Sequence, residues 1–243
     1  TAIKSFRQEM VTMAELTHPN IVRVLDAGST QDGLLYYVMD LIEGEDLQSL
    51  VDREGRLAPE RALLLGIDAA MGLRAAHERG IVHRDVKPEN ILIARSDDGA
   101  ERAKVFDFGI AKLTDEAEDH LTRTGALVGT PLYLSPEAAR GAETDERADI
   151  YSLGCTLYVA LAGVPPHQVR GAGALLFAHQ NVDPPPPSEH TKAPLPAELD
   201  ALVMRCLAKD PSARFATMTD LIRAMESARS ALTRAASTTR GAA

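Results

Sequence analysis

The stretch "IVHRDVKPENIL" sets Asp85, Lys87 and Asn90 within six residues, and "AKVFDFGIA" adds Asp107, 22 residues after Asp85. Acidic and amide oxygens at the ends of adjacent short strands can hold magnesium, a hard cation that prefers oxygen ligands and keeps part of its water. Taken singly, each residue has a plainer use: Asp85 can cap a helix or close a turn, and His83 can be a packed core histidine. The spacing of the whole set is what favours a shared site. No Cys-x-x-Cys pair or Cys/His cluster offers a thiolate metal site. Cys155 and Cys206 both lie in apolar runs and are expected as buried thiols of a reducing compartment.

The elements that must position these residues follow from periodicity. Ile3, Phe6, Met10, Met13 and Leu16 recur at spacings of 3, 4, 3 and 3, one face of a helix that should stop before His18-Pro19-Asn20. "IVRVLDAG" and "LLYYVMDL", separated by "STQDG", read as a hairpin. From about residue 46 the pattern is mainly helical. "PERALLLGIDAAMGLRAAHERG" opens on proline and closes on glycine around an apolar stripe. "ILIA" and "AKVF" flank Ser96-Asp97-Asp98-Gly99 as a second, short hairpin. "ADIYSLGCTLYVALAG" is apolar nearly all round and is expected as a buried central helix. Pro184 to Pro187 predict a stiff extended connector, and residues 195–229 two further helices. The final "TRAASTTRGAA" is expected as a linker or frayed end.

The chain of 243 residues is 45% hydrophobic and 25% charged, enough for one large domain or two small ones with a sizeable core. Its net charge of −9 argues against non-specific binding to nucleic acid or anionic membranes, which needs a basic surface. No apolar run reaches the roughly 18 residues of a membrane span. The first residues, with Lys4, Arg7 and Glu9, do not read as a signal peptide. A cytoplasmic location is expected, with any membrane anchor outside this stretch.

At these motifs the chain resembles the eukaryotic-type protein kinase family, in particular its bacterial Ser/Thr members, over about residues 3–226. The resemblance implies that Asp85 orients and deprotonates a substrate hydroxyl. It implies that Asn90 and Asp107 hold Mg2+ bridging the phosphates of ATP, and that Lys87 neutralises the transferring γ-phosphoryl group. His83 becomes structural, packing under Phe108 of Asp107-Phe108-Gly109. "VGTPLYLSPE" resembles the end of an activation loop, with Ser135-Pro136-Glu137 in place of the usual Ala-Pro-Glu. Glu137 should then pair bidentately with Arg214 in "KDPSARF", and Asp149 should accept backbone hydrogen bonds from the catalytic loop. Lys87 and Thr130 fit Ser/Thr specificity. Arg84, directly before Asp85, implies activation by phosphorylation, with Thr122 and Thr124 as the sites. "YYVMDLIEGEDL" resembles the hinge: Met39 as gatekeeper, the backbone of Asp40 to Ile42 for the adenine edge, and Leu92 for the floor. Glu89, Glu43, Glu45 and Asp46 would favour basic residues near the target hydroxyl. Small-molecule kinases of the aminoglycoside or choline type carry a similar His-x-Asp loop; Lys87 and the activation segment favour a protein kinase.

"TAIK" at the start resembles the strand that carries a kinase's ATP lysine. The matching helix glutamate is Glu9, only five residues later, too close for a strand end and a turn. Ile3 already continues the helical stripe, and residues five apart on a helix point about 140° apart. Lys4 is therefore expected as a solvated helix residue, and the Gly-rich loop and true lysine strand as missing.

The fold class expected is α+β: a protein-kinase-like two-lobed fold, N-terminally truncated, with an incomplete small lobe and a complete helical large lobe. Residues 1–40 form the small-lobe remnant, 41–228 the large lobe and 229–243 a flexible tail. ATP and Mg2+ are the expected cofactors. Proteins bearing Ser or Thr are the expected partners, with room for a kinase–kinase dimer. A non-catalytic docking module is the alternative, discriminated by partner binding without nucleotide binding.

Overall fold

The computed structural model describes residues 13, 15–32, 34–96, 99–108, 131–191 and 195–241, with side chains as far as residue 234. Strands β1 (Val24–Ser29) and β2 (Leu35–Met39) form an antiparallel hairpin, with Ser29 opposite Leu35 and a bulge between Val24 and Asp26. Side chains alternate along a strand. Leu35 and Tyr37 therefore face the core, while Tyr36 and Val38 are exposed. A second sheet has the order β3-β4-β5, all antiparallel, from β3 (Gly44–Asp46), β4 (Ile91–Arg95) and β5 (Glu101–Val105). The sequence pattern gave β4 and β5 but not β3. Three residues, two of them acidic, carry no readable period. Gly44 is needed there because a Cβ would meet the Ile93 carbonyl oxygen at 2.2 Å. The two sheets meet where Val22 N–H donates to the Val105 carbonyl (3.0 Å) and Val105 N–H to that of Asn20 (2.9 Å).

Seven α-helices have defined bounds among the described residues, the first two between β3 and β4 and the rest after β5: α1 (Leu47–Glu54), α2 (Pro59–His77), α3 (Pro136–Ala139), α4 (Glu146–Ala162), α5 (Ala172–Asn181), α6 (Ala197–Cys206) and α7 (Met218–Gly241). Asp46 caps α1 by accepting from Ser49 N–H, and Asp145 caps α4 by accepting from Arg147 N–H. Every residue of α4 from Ala148 to Ala162 is buried. Neighbours come close at its glycines: a Cβ on Gly154 would meet Cys206 Cβ at 2.4 Å. Both cysteines are free and buried. Helix α7 lays Leu221, Ile222 and Met225 into the core and continues to Gly241. This corrects the expectation of a flexible tail from residue 229: "ARSALTRAAS" holds neither glycine nor proline and is rich in strong helix formers. Of the proline run, residues 184–186 lie outside any helix or strand, Pro186 has extended backbone, and Pro187 opens a 3-10 turn to His190. No helix among the described residues is long and apolar enough to cross a membrane.

Beside α4 lies a buried polar cluster. Tyr151 Oη is 2.8 Å from His179 Nδ1, and the ring of His167 stands edge-on to His179 at 4.8 Å. Burial lowers the His167 pKa to about 4, with the Lys209 charge adding to it. Burial lowers His179 to about 3, helped by His167 and Lys209. Both rings are neutral in the folded protein near pH 7, so Tyr151, whose phenol burial keeps protonated, donates to His179.

Two outcomes are expected. Gly163 ends α4 at φ 76°, and a Cβ there would meet the Gly55 carbonyl oxygen at 2.1 Å. Gly163→Ala combines a left-handed backbone with a clash against backbone and should lose at least about 2 kcal/mol of stability by urea unfolding. A histidine with a folded pKa below its unfolded value near 6.5 leaves the unfolded state with more bound protons at intermediate pH. Stability contributed by His167 and His179 is therefore whole above pH 6.5 and lost as pH falls toward their folded values of about 4 and about 3. Unfolding free energy measured between pH 7.5 and 5 should fall with a slope that His167→Gln reduces by about one proton.

Candidate active site

Residues 81–90 join α2 to β4 and carry the first cluster. Their anchor is Asp149, fully buried in the first turn of α4. Its Oδ2 accepts from His83 N–H (2.8 Å) and its Oδ1 from Arg84 N–H (2.9 Å). His77, the last residue of α2, brings Nε2 to 2.7 Å from Asp149 Oδ2. A carboxylate only accepts, so His77 Nε2 is the donor of this bond. Arg84 sits at φ 63°, a left-handed conformation uncommon for a residue with a Cβ. The two adjacent peptide N–H groups converging on one carboxylate impose it.

His83 joins this loop to residues 106–108. Its Nε2 lies 3.1 Å from the Phe106 carbonyl, and Asp85 N–H reaches its Nδ1 at 3.2 Å. One nitrogen must donate and the other accept, which is the neutral ring. Burial lowers the His83 pKa accordingly, against the opposing pull of Asp149 and Phe106. The Phe108 ring packs on it at 4.4 Å.

Asp85 is the hub of the polar cluster. Lys87 Nζ donates to its Oδ2 at 2.8 Å, and Asn90 Nδ2 donates to its carbonyl at 2.9 Å and its Oδ2 at 3.1 Å. Partial burial works against the Lys87 charge. Asp85, with Glu89 and Asp107 behind it, outweighs that and holds the Lys87 pKa above the ordinary lysine value. The 3-10 turn Pro88–Asn90 sets Asn90, buried, at the head of β4, and its carbonyl accepts from Phe106 N–H at 3.1 Å. Both amide hydrogens of Asn90 point to Asp85, so Oδ1 is directed away from it. Asp107 follows β5 at φ 55° with its side chain exposed, and Tyr37 Oη donates to its Oδ1 at 2.8 Å. An amide oxygen and a carboxylate at two adjacent strand ends are the hard donors that suit Mg2+.

The second pair is Glu137 and Arg214. Arg214 Nη1 and Nη2 each donate to one Glu137 oxygen at 2.8 Å. Its remaining donors reach the carbonyls of Ala208, Arg147 and Lys209, and Tyr151 lies under the guanidinium. Burial raises the Glu137 pKa, but the Arg214 fork more than offsets this and holds the carboxyl below its usual range. Ser135 caps α3, its Oγ accepting from Ala138 N–H; the hydroxyl is a use that alanine there could not supply.

At the hinge-like stretch, Met39 ends β2 and is partly exposed. Asp40 N–H donates to the Arg23 carbonyl, and the peptide groups of Leu41 and Ile42 make no hydrogen bond among the described residues. Leu92, half-buried on β4, faces away from buried Ile91 and Ile93. Lys4, Glu9, Gly109, Thr122, Thr124 and Thr130 lie outside the described residues.

The protein kinase domain family matches residues 1–225. The chain belongs to that family. PknB, a serine/threonine-protein kinase of Mycolicibacterium smegmatis, is 43% identical over 228 residues, 91% of this chain and 36% of that protein. A probable serine/threonine-protein kinase of Corynebacterium efficiens is 39% identical, covering 95% of this chain and 36% of its own length. Among solved structures, Rad53 1–466 in complex with AMP-PNP superposes with a TM-score of 0.72 at 25% identity, over 90% of this chain and 53% of that one. The chain thus spans about a third of the length of these bacterial relatives, and its mixed helix-and-sheet architecture is the protein kinase fold.

Sequence reasoning about this kinase domain missed two contacts. His77 stands six residues before His83 at the end of an apolar helix, a spacing that could have flagged it. Tyr37 lay in plain view as a polar-tipped residue on the inward face of β2, but its partner is 70 residues away.

Arg214→Met should leave a largely buried Glu137 carboxylate unpaired and cost about 3–5 kcal/mol. Urea unfolding of the double variant Glu137→Gln/Arg214→Met should show a smaller loss than the sum of the two single variants, because no charge is then stranded.

Proposed function

We propose that this kinase domain transfers the γ-phosphoryl group of ATP to Ser or Thr hydroxyls of proteins. The observation that carries this reading is the convergence of Lys87 Nζ and Asn90 Nδ2 on Asp85 Oδ2, at 2.8 and 3.1 Å. The carboxylate is thereby held in one orientation while remaining partly open to solvent. It is supported by relatives named serine/threonine-protein kinases and by a structural neighbour solved with AMP-PNP.

Asp85 orients the incoming hydroxyl and accepts its proton as the new oxygen–phosphorus bond forms and the bond to the β-phosphate oxygen breaks. Phosphoryl transfer asks for little covalent chemistry from the protein, so positioning and charge neutralisation are the main tasks. Lys87, fully protonated, sets its ammonium beside the γ-phosphoryl oxygens. Asn90 Oδ1 and the Asp107 carboxylate would hold Mg2+, which would supply positive charge against the ATP phosphates. The hinge backbone at Asp40 to Ile42 receives the adenine edge, next to Met39 and with Leu92 as floor. Glu89, exposed beside Lys87, favours basic residues near the target hydroxyl. Arg84, directly before Asp85, would receive a phosphate carried by Thr122 or Thr124 and so order the activation segment.

Phosphate incorporation from labelled Mg-ATP into the chain itself and into a basic Ser/Thr protein should drop by about 10²- to 10⁴-fold in Asp85→Asn. The thermal transition should be unchanged, since Asn retains the acceptor for Asn90. Equal incorporation in the variant would remove Asp85 from the chemistry.

A further inference from the structure

Tyr37 is the side chain that links the β1–β2 hairpin to the Asp107 carboxylate. Its neighbours on β2, Tyr36 and Val38, turn to solvent. Tyr37 turns inward, opposite the small Ala27 of β1, and its ring rests on the apolar core. From there the phenol reaches across 70 residues of sequence to donate to Asp107 Oδ1 at 2.8 Å. A phenol keeps its proton near neutral pH and a carboxylate oxygen only accepts, so Tyr37 is the donor of this bond.

The backbone around Asp107 is pinned on both sides. Val105 N–H is bonded to Asn20, Phe106 N–H to Asn90, and Phe108 is stacked on His83. These contacts set where the Asp107 Cα sits, at φ 55°, but none sets the rotation of its carboxyl group. Only Tyr37 does that among the described residues. A carboxylate has two oxygens and about four lone-pair sites. A phenol on Oδ1 occupies one of them and leaves Oδ2 for a ligand.

We propose that Tyr37 is a positioning residue for Asp107: its O–H holds Oδ1 and so presents Oδ2 to the divalent cation that accompanies the nucleotide. This rests on the Mg-ATP function proposed above. The partner that orients a metal ligand is commonly worth about 10- to 100-fold in metal affinity. Tyr37 is only half-buried, which places it at the lower end of that range.

The test is the Mg2+ dependence of mant-ATP binding by the whole chain, followed by fluorescence at fixed nucleotide, with a parallel measurement in EDTA. Wild type is compared with Tyr37→Phe, Asp107→Asn and the double variant. Tyr37→Phe keeps the ring and removes only the hydroxyl. The half-saturating Mg2+ concentration should rise about tenfold in Tyr37→Phe, while binding in EDTA stays as in wild type. The double variant should be no worse than Asp107→Asn alone, because the phenol acts only through that carboxylate. An unchanged or lower Mg2+ requirement in Tyr37→Phe overturns the assignment, as does an additive loss in the double variant. Both leave the kinase function standing. If wild type shows no Mg2+-dependent binding, the nucleotide function fails and this role fails with it.

Discussion

The buried carboxylate of Asp149 is the constraint on which the site depends. A charge cut off from water must be met by donors or it costs several kcal/mol. Asp149 meets that demand with the N–H groups of His83 and Arg84 and the ring of His77. Because α4 is packed on every side, the carboxylate cannot move to its donors; the donors must come to it. Loop 81–90 is therefore shaped by a helix more than 60 residues away in sequence, and the left-handed turn at Arg84 is a consequence. A conformation of that kind costs of order 1 kcal/mol or more and persists only where its surroundings over-determine it.

The same end of α4 organises the segment that begins at Ser135. Arg214 reaches the Arg147 carbonyl in the first turn of α4 while it forks onto Glu137. One rigid, apolar helix thus fixes both the loop that holds Asp85 and the segment that begins at Ser135. This division suits the proposed phosphoryl transfer, where the protein's task is to keep charges at fixed separations. A packed core yields little to strain, and side chains tied to it by two or three bonds inherit its stiffness.

Asp107 belongs to a different support. It is reached from β5 and from the hairpin, through Tyr37, rather than from α4. The groups proposed for proton acceptance and for metal binding thus rest on separate elements. They are joined through His83, which bonds to Phe106 and stacks on Phe108, and through Asn90, which accepts from Phe106 N–H while donating to Asp85.

Much of this was legible in the sequence, where the chemistry depends on neighbours close along the chain. The periodic stripe of α2, the apolar run of α4, the two hairpins and the spacing of Asp85, Lys87, Asn90 and Asp107 are local facts. A helix or strand converts such spacing directly into a shared face or a strand end. The family resemblance supplied Glu137 with Arg214 and Asp149 with its loop, pairs that periodicity alone could not join. Strand β3 was missed because three residues have no period, and the helical continuation to Gly241 because small residues were read as a tail. His77 with Asp149 and Tyr37 with Asp107 escaped altogether. Each joins residues 70 or more apart, and which polar tip meets which carboxylate is set by how the helices and sheets pack. The sequence by itself determined the elements and the set of reactive groups, because both follow from local stereochemistry and residue type. Only the tertiary structure decided their orientations, because a buried charge takes its donors from whatever the packed core brings within reach.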